Sequence, residues 1–203
     1  VPALADTTGE LQRALKAPIA SPPLRERIQP SDTVGIVVND ITRATPTAVM
    51  LDALLPVLLE VVPEVQIRIF VALGTHRPNT VGELEMLLGK DVVDRFEIIQ
   101  NSSEERATQR YFGRSSYGTP VWLNAEAAAC DLLVLTGFIE PHIFAGFSGG
   151  GKAVMPGMAG METIMSNHGF SSLEHPKAVW GVTDDNPVYG EIMEIASLLD
   201  TFL

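Results

Sequence analysis

Residues 33–46 read TVGIVVNDITRATP, and this stretch decides the fold. Val34, Ile36, Val37 and Val38 are β-branched and nearly continuous, which suits a strand covered on both faces better than one with a wet side. A polar cluster follows at once, and then Val49, Ala53, Leu54, Val57, Leu58 and Val61 repeat at helical spacing. Strand, polar loop and helix form the unit from which α/β sheets are wound. Pro56 falls inside the helical pattern and removes a hydrogen bond, so a kink or a helix boundary is expected near it.

The unit recurs along the chain. Residues 66–73 form a second apolar strand, and Thr80 with Glu83 makes a capping box opening a helix that Gly89 can end. Stretches 96–100 and 119–123 have short strand patterns, while 131–135 is again almost continuously apolar. Helical patterns cover 9–16 and 160–166, and Asn186 with Pro187 opens a last helix running to about residue 199. Alternating strands and helices predict an α/β fold, a Rossmann-like three-layer sandwich with a mostly parallel sheet. Residues 1–30, with a Pro-rich run at 20–23, read as a lead-in segment, and 31–203 as one domain. Ligands of such sheets gather beyond the carboxyl ends of the strands. Polar clusters at 40–46, 74–78 and 137–151 fall at those ends and should converge on one face.

With 46% hydrophobic residues in 203, the chain has ample material for a core. Its net charge of -11 argues against nucleic acid or an anionic membrane as partner, because phosphates repel an acidic surface that carries no basic patch. The single cysteine, Cys130, excludes an internal disulfide and any multi-thiolate metal site, and it reads as a buried structural residue. No apolar run approaches the roughly 18 residues of a membrane span, and no signal-peptide pattern opens the sequence, so a cytoplasmic location is expected.

In the first polar cluster, Asp40, Ile41, Thr42 and Arg43 precede a helix, where Asp and Thr are usual caps. Arg43 adds a guanidinium suited to bidentate capture of a carboxylate. The second cluster places His76 straight after a buried strand. The third is the densest, with His142 at one end, Gly146, Gly149, Gly150 and Gly151 within it, and Lys152 at the other. Its glycines imply unusual dihedrals or close approach to a ligand. Gly146, Gly151 and Lys152 fit the spacing of a phosphate-binding P-loop, but Ala153 supplies no hydroxyl for magnesium, and Pro156 and Gly157 interrupt the helix that should follow. Lys152 remains an amine able to form a covalent bond if it is held neutral. His168 caps the 160–166 helix, and with His76 and His142 it completes three imidazoles; His175 reads as surface loop. The residues leave three readings open: an enzyme acting on a small organic acid, a phosphate- or cofactor-binding module without catalysis, and a zinc-dependent hydrolase.

Taken together, DITRATP at 40–46, GTHRP at 74–78, GFIEPHIFAGFSGGGK at 137–152 with PGMAG at 156–160, and the Asn167-His168 pair resemble the nickel-dependent lactate racemase family. The resemblance runs in order from about residue 21 to 187. It implies a racemase or epimerase of lactate-like 2-hydroxy acids whose cofactor is the nickel-pincer nucleotide, nickel(II) pyridinium-3,5-bisthiocarboxylate mononucleotide, made by dedicated cofactor-building enzymes. It further implies that Lys152 is tethered to the cofactor as a thioamide and that His168 is the protein's nickel ligand. His76 and His142 would be the catalytic acid and base. Asp40, Ile41, Thr42 and Arg43 would bind the cofactor, with Arg43 also facing the substrate carboxylate. Two histidines suit racemisation because each hand of the substrate needs its own proton acceptor, and an ordinary imidazole serves as base or acid at neutral pH. The resemblance also implies a C-terminal substrate domain and further N-terminal strands that this sequence does not include.

Overall fold

In the computed structural model, which describes residues 5–202, the chain runs α1 (Thr7–Lys16), β1 (Val34–Asn39), α2 (Thr47–Leu59), β2 (Ile67–Ala72), α3 (Val81–Leu88), α4 (Lys90–Arg95) and β3 (Glu97–Gln100). It continues through β4 (Gln109–Arg114), β5 (Pro120–Asn124), β6 (Leu132–Leu135), β7 (Pro141–His142), β8 (Gly146–Phe147), α5 (Met161–Asn167), α6 (Phe170–Leu173), α7 (Pro187–Ala196) and β9 (Thr201–Phe202). The main sheet has the order β3-β2-β1-β6-β9, and every pairing in it is parallel. This is the three-layer α/β sandwich expected from the strand and helix pattern.

The apolar runs are continuous because both faces of the sheet are covered. Val34, Ile36 and Val38 of β1 join the α2, α3 and α4 side chains in one core, whereas Val37 joins Phe70, Leu133 and the residues of α5 and α7 in a second. Each such aliphatic side chain contributes about 1.5–3 kcal/mol when fully buried, and a one-residue register slip would exchange β1's side chains between the two cores and misfit both. Gly35 is required by the second core. A Cβ there would lie 2.5 Å from Leu133 Cδ2 and 2.8 Å from Phe70 Cε2, the space that fully buried Phe70 occupies.

Pro56 ends nothing at its own position, since α2 continues to Leu59. Both Pro56 and Asp52, whose carbonyl lacks its helical donor, are exposed, so the interruption falls on the solvent side of the helix. Val49 is also exposed, against the apolar stripe read from the sequence. The predicted capping box is present, with Thr80 Oγ1 accepting from the Glu83 N–H and Glu83 accepting from the Thr80 N–H, and Gly89 closes α3 at φ +92°. Within the 1–30 segment, Leu24 and Ile28 are buried in the first core; residues 1–4 lie outside the described residues.

Two elements differ from expectation. The 119–123 pattern does form a strand, β5, but it pairs antiparallel with β4 in a separate hairpin. The final helix stops at Ala196, after which Thr201 and Phe202 add a parallel edge strand to β6. Among the described residues no helix is long and apolar enough to cross a membrane.

The topology positions the site. From β1 the chain steps outward through β2 to β3, and then returns to pair β6 against the opposite edge of β1. The loops leaving β1 and β6 therefore part from one another at the switch point, opening a crevice at the carboxyl ends of the strands.

Candidate active site

A cleft of about 400 Å³ occupies that crevice, and all three polar clusters reach it. The first contributes Asp40, Thr42 and Arg43, the second His76, and the third His142 and Lys152; His168 closes the wall from the end of α5. Ile41 is the exception. Its side chain packs against the first core and its N–H donates to Asn79 Oδ1 at 3.2 Å, so it holds the loop and does not line the cleft. Arg77 also turns away, to a bidentate pair with Glu83.

Asp40 is 3% exposed. Its Oδ1 accepts from the Thr42 N–H at 2.7 Å and the Thr42 hydroxyl at 2.5 Å, and its Oδ2 lies 2.5 Å from His76 Nδ1. Burial works to raise the carboxyl's pKa, but the hydrogen bonds from Thr42 and His76 outweigh it and hold the group below the ordinary carboxylate range. An ionised carboxylate only accepts, so the His76 proton sits on Nδ1 and the Nε2 lone pair is left for a substrate.

His142 has the opposite arrangement. It stands in the two-stranded ladder of β7 and β8, paired with Gly146, and its Nδ1 accepts from the Ala145 N–H at 3.3 Å. The neutral ring therefore carries its proton on Nε2. Burial, and then the charges of Lys152, His168 and Arg43, push its pKa down to about 4.

Gly146 is compelled by this ladder. Its φ is +71°, and a Cβ would stand 2.3 Å from the Val182 carbonyl oxygen. Gly149, at φ +77°, leads into a single 3-10 turn, Gly150–Ala153, that presents Lys152. No long helix follows, which removes the P-loop reading. Burial, followed by the Arg43 charge, pushes the Lys152 pKa down to about 8, so a useful fraction of the amine is neutral near physiological pH. That is what a lysine needs to form a covalent bond to a carbonyl or thiocarbonyl carbon.

His168 is the C-cap of α5. Burial and Lys152 lower its pKa, against an opposing pull from Glu191, to about 4. The Phe144 ring stands edge-on between the two imidazoles, with centroids 4.6 Å from His142 and 4.9 Å from His168. Among the described residues no three His, Cys, Asp or Glu side chains are grouped closely enough to hold a metal ion, so the three-imidazole zinc site is not formed. Cys130 is half-buried away from the cleft, its thiol pushed up to about 11 by burial, as befits a structural residue.

The cleft thus gathers a guanidinium, an amine of lowered basicity and two differently protonated imidazoles around space for a small organic anion. Glu191, behind Asn167 and His168, escaped sequence reading. Nothing local distinguishes Glu191 from the other acidic residues until α7 is packed.

Residues 1–181 match the family described as the lactate racemase N-terminal domain. A lactate racemase of Lactiplantibacillus plantarum is 38% identical over 92% of this chain and 44% of its own length. One from Thermoanaerobacterium thermosaccharolyticum is 32% identical over the same shares. The lactate racemase apoprotein structure from the latter organism superposes with a TM-score of 0.91 at 31% identity, covering 94% of this chain and 46% of that one. A Thermotoga maritima protein, at TM-score 0.76 and 24% identity, shares the fold. The chain spans less than half the length of the curated relatives it matches.

Proposed function

Since the chain belongs to the lactate racemase N-terminal domain family, we propose that its cleft is where a lactate-like 2-hydroxy acid is racemised by proton-coupled hydride transfer, with Lys152 tethering a nickel-pincer nucleotide. The observation that carries this reading is the meeting of His76, His142, Lys152 and His168 around one cleft from three separate stretches of chain.

The residues fit the nucleotide. Lys152 is a half-buried amine with its pKa lowered to about 8, which leaves it able to form a thioamide tether. His168, neutral at pH 7, offers an imidazole of the kind a nickel held by softer sulfur and carbon donors takes as its remaining ligand. When bound, the nucleotide supplies the acceptor and donor of hydride.

The chain's own groups do the rest. Arg43 holds the substrate carboxylate and fixes the C2 carbon. For one hand of the acid, His76 Nε2 takes the hydroxyl proton as C2 loses hydride, leaving a planar keto acid. Asp40 stabilises the resulting imidazolium through Nδ1. Return of hydride to the opposite face, after the keto acid turns over in the cleft, needs the oxygen to be protonated from the other side: His142, having taken up a proton from water, gives it from Nε2, and His76 releases its own to water. The reverse reaction exchanges the two histidines.

Intact-mass measurement and peptide mapping of the protein made alongside the cofactor-building enzymes tests the tether. A nucleotide adduct on Lys152 that vanishes in Lys152→Ala is expected; unmodified Lys152 would remove the reading.

A further inference from the structure

Behind the cleft, Glu191 of α7 is a carboxylate only 1% exposed, satisfied by neutral donors alone. The Ser115 hydroxyl donates to Oε1 at 2.5 Å and Asn167 Nδ2 to Oε2 at 2.8 Å. Burying an unneutralised carboxylate costs several kcal/mol, roughly, before such bonds offset it. Replacement by an apolar side chain would spare that cost, so its placement calls for a reason beyond packing.

Asn167 supplies one. It is fully buried, and both hydrogens of its amide nitrogen point at α7, one to Glu191 and the other to the Val188 carbonyl at 3.3 Å. With the nitrogen side committed to two acceptors, the amide cannot turn over. Its Oδ1 therefore faces His168 Nδ1, 2.9 Å away. An amide oxygen only accepts, so the His168 proton must sit on Nδ1, and Nε2 is left as the bare lone pair.

We propose that Glu191 and Asn167 are positioning residues that lock His168 in its Nδ1–H tautomer and so hold Nε2 ready as a metal ligand. This rests on the reading of His168 as the ligand. A histidine side chain free in water favours the other tautomer, with the proton on Nε2, where it blocks coordination. The relay imposes the less favoured form before any metal arrives, and it keeps the ring from rotating. Partners of this kind behind a ligating imidazole typically change metal affinity by about 10–100-fold. The neutral His142 ring is held in the opposite form, its Nδ1 accepting from the Ala145 N–H.

The test is long-range proton–nitrogen NMR of the full chain labelled at histidine, without nucleotide, at about pH 7.5, where both rings are neutral. His168 should show a protonated Nδ1 and a bare Nε2. Asn167→Leu should move its proton to Nε2. Glu191→Gln, whose side chain can offer oxygen or NH2 to Asn167, should admit a detectable Nε2–H fraction. The His76 signals should stay in place in both variants. A proton on Nε2 of His168 in the unaltered chain, or a His168 spectrum unmoved by both substitutions, would overturn the relay. Because the wild-type spectrum alone can decide, a variant that failed to fold would not rescue it. The readout is also independent of whether Lys152 carries an adduct, so the relay and the functional reading can fail separately.

Discussion

Asp40 shows how much a single side chain settles. Its carboxylate closes the loop through Thr42, orients His76, and is itself held ionised by the bonds it receives. Asp40→Asn leaves one oxygen to accept where there were two, and should destabilise the fold at pH 7 by about 1–3 kcal/mol in urea titration. The pH dependence has a definite sign. A carboxyl whose folded pKa lies below its unfolded one contributes fully above the unfolded value, about 4, and loses the contribution as pH falls through the lower folded value. The gap between wild type and variant should therefore hold from neutrality down to about pH 4 and narrow only below it. A gap that is unchanged at about pH 3 would mean that the ionised form of Asp40 is not what stabilises the loop. In sequence, Asp40 and His76 were each visible as polar residues after a strand. Their pairing was not, because it depends on β1 and β2 lying side by side with their ends level.

Among the elements, the β7–β8 ladder has the least tolerance. Gly146 pairs with His142, stands at φ +71°, and abuts the Val182 carbonyl. Gly146→Ala should cost roughly 1–3 kcal/mol from the backbone conformation alone, with the clash added, and should displace His142. Urea denaturation measures the first, and a loss below about 0.5 kcal/mol would show that the ladder adapts easily. Elements with strong local signals were legible beforehand: β1 and β2 from their β-branched runs, β6 from its continuous apolar run, α3 from its capping box, α7 from Asn186 and Pro187. What was not legible depends on partners distant in sequence. Strand β4 reads QRYFGR, with no apolar alternation, because it pairs only with β5 outside the main sheet. Strand β9 is two residues long and exists because the edge of β6 is open to it. Ile41 matched the pattern of the site residues by adjacency, yet a half-buried aliphatic side chain beside an exposed loop goes to the core. The Glu191–Asn167–His168 chain joins two helices that no spacing rule connects.

At the scale of the molecule, a parallel sheet with its switch point between β1 and β6 turns three unrelated loops into one cleft. The fold supplies rigid strand ends, and the loops carry the chemistry on them. On the function proposed above, the amine of lowered basicity at Lys152 takes the tether, and His168, across the Phe144 ring from His142, stands apart from proton transfer. The most direct test is isotopic. Full-length protein loaded with the nucleotide is given L-lactate deuterated at C2, in ordinary water, and the D-lactate formed is examined by mass spectrometry. If hydride leaves and returns while His76 and His142 handle only the hydroxyl proton, the product keeps its deuterium at C2. If the deuterium is replaced by hydrogen from solvent, C2 has lost a proton and not a hydride, and the role given to this cleft is wrong.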